Sequence, residues 1–258
     1  MSMRHGDGSA GDADYGAIGD GYARYRQPEP RIAAMIVEAL GDARSVLNVG
    51  AGAGSYEPTD RVVSAVEPSA SMRAQRPAHL PAAIDAVAGR LPFPDGAFDA
   101  SLATFTVHQW PDLRAGLAEM RRVTRGPVVV LTCDPARLDR FWLDEYVPAV
   151  IATEERRYPP VASITAALGG RSEVRPVPIP LDCRDGFGEA YYGRPERFLE
   201  PGVRRAMSSW SFDDPGIIAA GMARLRDDLA SGAWDTAHGV LRTQPEFDGA
   251  LRLVIGWP

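Results

Sequence analysis

The sequence predicts a doubly wound α/β fold, and three observations carry that prediction. Short β-branched runs alternate with helical patterns through the first half, the runs are apolar along their whole length, and the first one enters a glycine-rich turn. A helix opens the domain: Ile32, Met35, Ile36, Ala39 and Leu40 recur at helical spacing after Pro30, and Gly41 stands where it should stop. Strands are expected at Ser45 to Val49, Val62 to Val66, near Ile84 to Val87, at Phe98 to Thr104 and at Val128 to Thr132. Leu113, Leu117, Met120 and Val123 mark a helix between the last two. Residues 21–135 are thus expected to form a ligand-binding core.

The second half carries helical patterns at Leu138 to Ile151 and Ile164 to Leu168, assigning a helical segment to 136–171. An alternating edge strand is expected over 172–180. Residues 181–247 read as an inserted cap with helical stretches near Pro195 to Ser209 and Pro215 to Ser231, and 248–258 as a returning apolar strand. The expected sheet therefore has seven strands, mostly parallel, with helices on both faces and a mainly helical cap.

Composition narrows the function classes. At 258 residues, with 45% hydrophobic and 24% charged residues, the chain lies in the globular range. Its formal charge of −6 supplies no electrostatic reason to dock on nucleic acid or an anionic membrane, and all 28 of its bases are arginine. Cys133 and Cys183 lack CxxC spacing and a nearby histidine pair, which excludes a zinc ribbon and a disulfide framework. No metal is expected, and a reducing cytoplasm is the expected setting. Residues 1–20 lack a basic start and an apolar centre, so they read as a flexible tail rather than a signal peptide. No apolar run reaches the ~18 residues of a spanning helix.

The chemistry-bearing segment is Val46-Leu47-Asn48-Val49-Gly50-Ala51-Gly52-Ala53-Gly54-Ser55, a strand followed by glycines at alternate positions. Gly50 and Gly52 allow a tight bend and a close backbone approach to a ligand. The dinucleotide fingerprint would place its third glycine at position 55, where this chain has serine, and no Gly-Lys-Ser/Thr follows to make a phosphate loop. Glu67 ends the next strand, and in an open parallel sheet that end lies beside the glycine turn, where a carboxylate can accept both hydroxyls of a ribose.

These features together resemble the class I S-adenosylmethionine-dependent methyltransferases, in their small-molecule, type 11-like branch. Leu91-Pro-Phe-Pro-Asp-Gly-Ala-Phe-Asp99 is similar to the stretch preceding that branch's fourth strand, and His108-Gln-Trp-Pro111 resembles its histidine-aromatic turn. The likeness runs from about Arg31 to Thr132, and Asp182 to Phe187 is similar to a stretch of actinobacterial members. It implies a Rossmann-like core holding S-adenosyl-L-methionine and releasing S-adenosyl-L-homocysteine. Gly50, Ala51, Gly52 and Gly54 would face the amino-acid end, and Glu67 would grip the ribose with Pro68 beside it. Met72 and Leu91 would sandwich the adenine, read by backbone groups of Ala88, Gly89 and Arg90. Thr104 completes the cofactor set, and Tyr22 and Arg26 would form a lid over the carboxylate. The chain departs from the pattern at Asn48, often acidic in the family, and at Val87, where an aspartate frequently stands.

Methyl transfer from a sulfonium needs alignment more than acid-base assistance. His108 is placed to take a proton from an O–H or N–H nucleophile, or only to orient the acceptor. Trp110, Phe141, Trp142, Tyr191 and Tyr192, with Phe187 and Trp210, are the candidates to line a small, partly apolar acceptor. Asp182 and Asp185 read as turn and cap residues rather than metal ligands. The rival readings are a nicotinamide-dependent oxidoreductase and a non-catalytic binding protein retaining the fold. The expected assembly is a monomer or a homodimer.

Overall fold

The structure, a computed structural model, describes residues 22–258. The expected tail at 1–20 lies outside the described residues. A short helix α1 (Tyr22–Tyr25) leads into α2 (Pro30–Leu40), which starts where Glu29 accepts the Arg31 N–H and ends at Gly41 in a positive-φ turn. Then come β1 (Ser45–Val49), β2 (Val62–Val66), α3 (Ala70–Ala74), β3 (Ala100–Thr104), α4 (Leu113–Val123) and β4 (Val128–Cys133). The second half adds α5 (Pro148–Arg157), α6 (Val161–Leu168), β5 (Arg171–Pro176), β6 (Ile179–Pro180), α7 (Pro201–Arg205), α8 (Pro215–Ser231), α9 (Ala233–His238), β7 (Glu246–Phe247) and β8 (Leu251–Trp257).

The main sheet has six strands in the order β2-β1-β3-β4-β8-β5. The first four are parallel, and β8 runs antiparallel between β4 and β5. Alternation along the strands divides the core: Val129, Leu131, Leu253 and Ile255 face α2 and the second-half layers, while Val128, Val130 and Val254 face α4 and α6. Both faces are therefore covered, which is why β4 is buried at every position.

Four expected elements differ. The segment near Ile84 to Val87 makes one parallel bridge, Val66 to Ile84, rather than a seventh strand. Pro81 precedes it, the Val87-to-Arg90 turn follows, and Ile84 is 44% exposed, so no apolar cover repays a longer pairing. The edge strand breaks at Pro176: β5 stays in the main sheet, and β6 pairs with β7 as a separate two-stranded sheet. Pro176, Pro178 and Pro180 lack the N–H groups a continuous ladder would need. The helical patterns at 138–151 and 195–209 are broken by Pro148 and Pro201 into 3-10 turns at Pro135–Arg140, Trp142–Glu145, Pro195–Leu199 and Ser208–Ser211 around α5 and α7.

The β6/β7 pair draws together the two ends of the segment between them, which packs through Phe198, Trp210 and Trp234 against Phe141 and Trp142. Trp142 meets Phe198 and Trp234 edge-on, and Phe198 stacks on Trp210. Residue α1 Tyr25 docks on this layer where Gly202 leaves room for its ring. Phe198→Ala should cost about 3–5 kcal/mol, measured by urea unfolding, whereas Val62→Ala at a 71% exposed position should change stability by less than about 0.5 kcal/mol.

Candidate functional site

The glycine turn is shaped by its bonds to β2. Gly50 and Ala51 N–H groups both donate to Val66 O, at 2.9 and 3.0 Å, which folds the turn over the carboxyl end of that strand. Gly50 has φ +69°, and a Cβ there would fall 2.1 Å from Thr106 Oγ1, so neither the backbone nor the neighbour accepts a side chain. That contact also joins the turn to the loop after β3. Glu67, 8% exposed, accepts the Gly52 N–H at 2.9 Å through one carboxylate oxygen and the Ser69 N–H at 2.8 Å through the other. The same residue that should meet a ribose thus holds the turn in place. Met72, on α3 behind its Ser69 N-cap, lies against Gly52. Pro68 and Glu67 carbonyls are tied by Arg73, at 2.9 and 2.7 Å.

A buried ionic cluster stands behind the turn. Asn48 Nδ2 donates to Glu57 at 2.9 Å, and Arg76 reaches Glu57 at 2.8 Å, both side chains being almost wholly buried. Arg76 also donates to Gly52 O and Pro81 O. Asparagine suits position 48 because its amide donates to the Glu57 carboxylate, where a second acid would face like charge. Glu57 and Arg76 escaped the sequence reading, since neither belongs to a motif and only the fold brings them together.

The other cofactor candidates occupy the same end of the sheet. Ala88 is buried, Gly89 and Arg90 are exposed in a turn closed by Arg90 N–H to Val87 O at 3.0 Å, and Leu91 is buried below them. Thr104 ends β3, next to Phe105 at φ +49°. Tyr22 opens α1, but its side chain lies outside the described residues. Arg26 pairs with Asp185 through two nitrogens at 2.6 and 3.3 Å, and its guanidinium lies over the Phe105 ring at 5.1 Å. Asp185 is 1% exposed and also accepts the Tyr56 hydroxyl at 3.0 Å. Ser55 Oγ donates to Arg26 O at 3.4 Å, so the lead-in, the glycine turn and the 182–187 segment meet at Arg26. Asp185 is therefore the buried counter-ion of Arg26 rather than a turn residue. Asp182, 81% exposed, pairs with Arg31.

Beyond Arg26 and Phe105 lies a cavity of about 70 Å³ lined by His108, Phe141, Tyr158, Phe187, Glu189 and Trp210, among others. His108 packs on Tyr158 with ring centroids 4.4 Å apart. Burial, helped by the charges of Arg157 and Arg26, pushes its imidazole well below the usual histidine value, so it is neutral at pH 7. Burial likewise raises the Glu189 carboxyl to about 7.

Four expected acceptor residues do not reach this cavity. Trp110 lies across Gly116 of α4, where a Cβ would fall 2.4 Å from its ring, and packs with the opposite core. Trp142 donates its indole N–H to Tyr192 O at 2.8 Å inside the aromatic layer. Tyr192 is fully buried, stacks on Phe247 and donates to Gln244 O at 2.5 Å. Tyr191 lies against Gly186 and under Arg194. Trp142 and Tyr192 thus spend their polar tips on closing the fold, as buried Tyr and Trp usually do. Tyr158, Glu154 and Glu189 were missed, because a lone acid in a helical pattern reads as surface. Among the described residues no group of three or more His, Cys, Asp or Glu could hold a metal ion, and no helix is long and apolar enough to cross a membrane.

Two outcomes test this geometry. Gly50→Ala should cost about 1–3 kcal/mol or more through strain and overpacking against Thr106, read by urea unfolding. The folded state refuses a proton at His108 that the unfolded chain accepts below its ordinary value of 6.5. Stability should accordingly fall as pH drops below about 6.5, by up to about 1.4 kcal/mol per pH unit from this one group. His108→Phe should remove that contribution, measured by unfolding at about pH 7.5 and about pH 5.5.

Comparison with known proteins agrees with this arrangement. A family model described as a methyltransferase domain matches residues 47–130, the span holding the glycine turn, Glu67 and His108. A protein of Anabaena variabilis assigned as a methyltransferase from an antibiotic biosynthesis pathway has a similar crystal structure. It is 29% identical, with a TM-score of 0.84 over 90% of this chain and 98% of that one. An S-adenosylmethionine-dependent methyltransferase from Thermotoga maritima is 14% identical, with a TM-score of 0.54 over 94% of this chain and 97% of that one. The cyclase SpnF, also 14% identical with a TM-score of 0.54, covers 94% of this chain and 92% of its own. These last two show the fold alone. No curated protein matches the sequence. The domain match falls on the glycine turn and the acid beside it, so residues 47–130 carry a methyltransferase domain in a chain with the fold of the S-adenosylmethionine-dependent methyltransferases.

Proposed function

We propose that this enzyme methylates a small, partly apolar metabolite held in the cavity beside Phe105 and His108. One observation carries the reading: Thr106 covers Gly50, so the loop that supplies two cavity residues also touches the cofactor turn. The acceptor cavity and the cofactor site are thereby neighbours across one short segment. When bound, S-adenosylmethionine supplies a methyl group on an already activated sulfonium. The residues present fit it: the Gly50 to Gly54 backbone leaves a cradle that side chains would fill, and Glu67 offers a carboxylate at its edge.

In this reading Gly50, Ala51, Gly52 and Gly54 carry the amino-acid end and Glu67 the ribose, with Pro68 beside it. Met72 and Leu91, with the Ala88 to Arg90 turn, bound the adenine, and Thr104 closes the floor. Arg26, held by Asp185, caps the carboxylate end while presenting its guanidinium to the cavity. Phe141, Phe187 and Trp210 exclude water and fix the acceptor body, which is how a preformed apolar cavity aligns a nucleophile. Neutral His108 is able to accept a hydrogen bond or a proton from the nucleophile. The similar Anabaena protein is assigned to antibiotic biosynthesis, which supports a specialised metabolite as acceptor. Two buried free cysteines support a cytoplasmic setting.

Calorimetry and turnover separate the two halves of the site. Glu67→Ala should weaken S-adenosylmethionine binding by about 1.5–3 kcal/mol through lost charged hydrogen bonds; an unchanged Kd removes the ribose role. Ala206→Leu, filling the cavity wall, should lower acceptor kcat/KM by about tenfold or more while leaving cofactor Kd unchanged. Undiminished turnover by that variant would place the acceptor elsewhere.

A further inference from the structure

The cavity is aromatic on most sides, yet three of its polar groups have no place in the mechanism above. Glu154 comes from α5, Glu189 from the 3-10 turn Gly188–Tyr191, and Ser209 from the turn Ser208–Ser211. Glu189 is 4% exposed, and both of its oxygens accept the single Ala250 N–H, at 2.9 and 2.8 Å. Its carboxyl is raised to about 7 by burial, with the Glu154 charge acting in the same direction. Ser209 is fully buried, and its Oγ has no hydrogen-bond partner among the described residues.

Such a set selects its ligand by charge and by hydrogen-bond sense. A buried carboxylate is costly to keep ionised without a cation, and an unsatisfied buried hydroxyl costs the desolvation it suffered. A ligand bearing several N–H donors and a positive charge relieves both together. The aromatic lining from Phe141, Tyr158, Phe187 and Trp210 favours the same charge. A ligand carboxylate or phosphate would meet two acids instead. The cations nearby do not reverse this: Arg26 is neutralised by its two-point pair with Asp185, Arg157 stacks on Phe212 and donates to Ser208 Oγ at 2.9 Å, and Arg252 and Arg137, whose charges oppose the rise at Glu189, are both paired with Asp248.

We propose that the methyl acceptor is a small alkyl or arylalkyl amine, bound as its ammonium by Glu154, Glu189 and Ser209 and methylated on nitrogen. The inference rests on the reading of this cavity as the acceptor site. Glu189 takes one N–H proton, and the freed lone pair on nitrogen forms the N–C bond. The sulfur–methyl bond breaks with its electron pair left on sulfur, giving S-adenosylhomocysteine and the N-methyl ammonium product. The proton on Glu189 then returns to solvent as product leaves.

The test uses a ring-matched series, 2-phenylethylamine, 2-phenylethanol and phenylacetate, titrated into the full chain saturated with S-adenosylhomocysteine, whose own binding is measured first by calorimetry. Tryptophan fluorescence reports occupancy beside Trp210, and mass spectrometry identifies methylated product when S-adenosylmethionine replaces the homocysteine form. The amine should bind at least about tenfold more tightly than the alcohol or the acid and be the one methylated. Glu189→Gln, which keeps an oxygen for Ala250, should weaken amine binding by about tenfold or more, with S-adenosylhomocysteine affinity unchanged. Ser209→Ala, which removes only the hydroxyl, should weaken it by about threefold or more. Alcohol or acid binding as tightly as the amine, no amine binding to protein that holds S-adenosylhomocysteine, or amine affinity unchanged in both variants would overturn the amine assignment. Failure of the wild-type chain to bind S-adenosylhomocysteine would instead bring down the cofactor reading beneath it.

Discussion

The Glu67 carboxylate bridges the Gly52 and Ser69 amides, and the geometry of the cofactor end depends on that bridge. It ties the turn after β1 to the start of α3, so that the cradle is formed before any ligand arrives. Preforming it lowers the ordering cost that binding would otherwise bear. The turn is pressed onto β2 by the paired bonds to Val66 O and backed by the buried Asn48, Glu57 and Arg76 cluster. Buried ion pairs add little net stability, but breaking one strands a charge, so such a cluster acts to hold a single arrangement.

From this anchor the rest of the site follows through Thr106 and Arg26. Thr106 sits on Gly50 and carries the loop whose Phe105 and His108 form one side of the cavity. Arg26 is locked by Asp185 from the second-half layer, and Asp185 is locked in turn by Tyr56 from the segment after the glycine turn. Tyr56 and Phe105, both with positive φ, place their rings 6.3 Å apart at this junction. Strained backbone on both sides of one junction is the kind of feature a packed functional site sustains. The aromatic layer of Trp142, Phe198 and Trp234 lies outside the cavity lining and packs behind Phe141 and Trp210, which line it.

Much of this was legible in the residues because it is local. Helix α2, the helix Pro215–Ser231, the strands of the first half and the glycine turn with its acid all obey short-range rules of periodicity, capping and turn chemistry. What was not legible is long-range. Asp185 lies 159 positions from Arg26, and Glu189 lies 61 from Ala250, so nothing near either acid shows that it will be buried. The aromatics misled for a related reason: Trp110, Trp142, Tyr191 and Tyr192 are as apolar as true cavity residues, and only the tertiary packing assigns them to core. Proline set the remaining differences, ending the expected edge strand and breaking two helical patterns into turns.

The most direct test of the central claim is a crystal structure of the protein with S-adenosylhomocysteine. The account predicts density with the ribose hydroxyls against the Glu67 carboxylate and the amino-acid end along Gly50 to Gly54, leaving the sulfur facing the cavity at His108. Well-defined density for the adenosyl group away from Glu67, with the glycine turn bare, would contradict it.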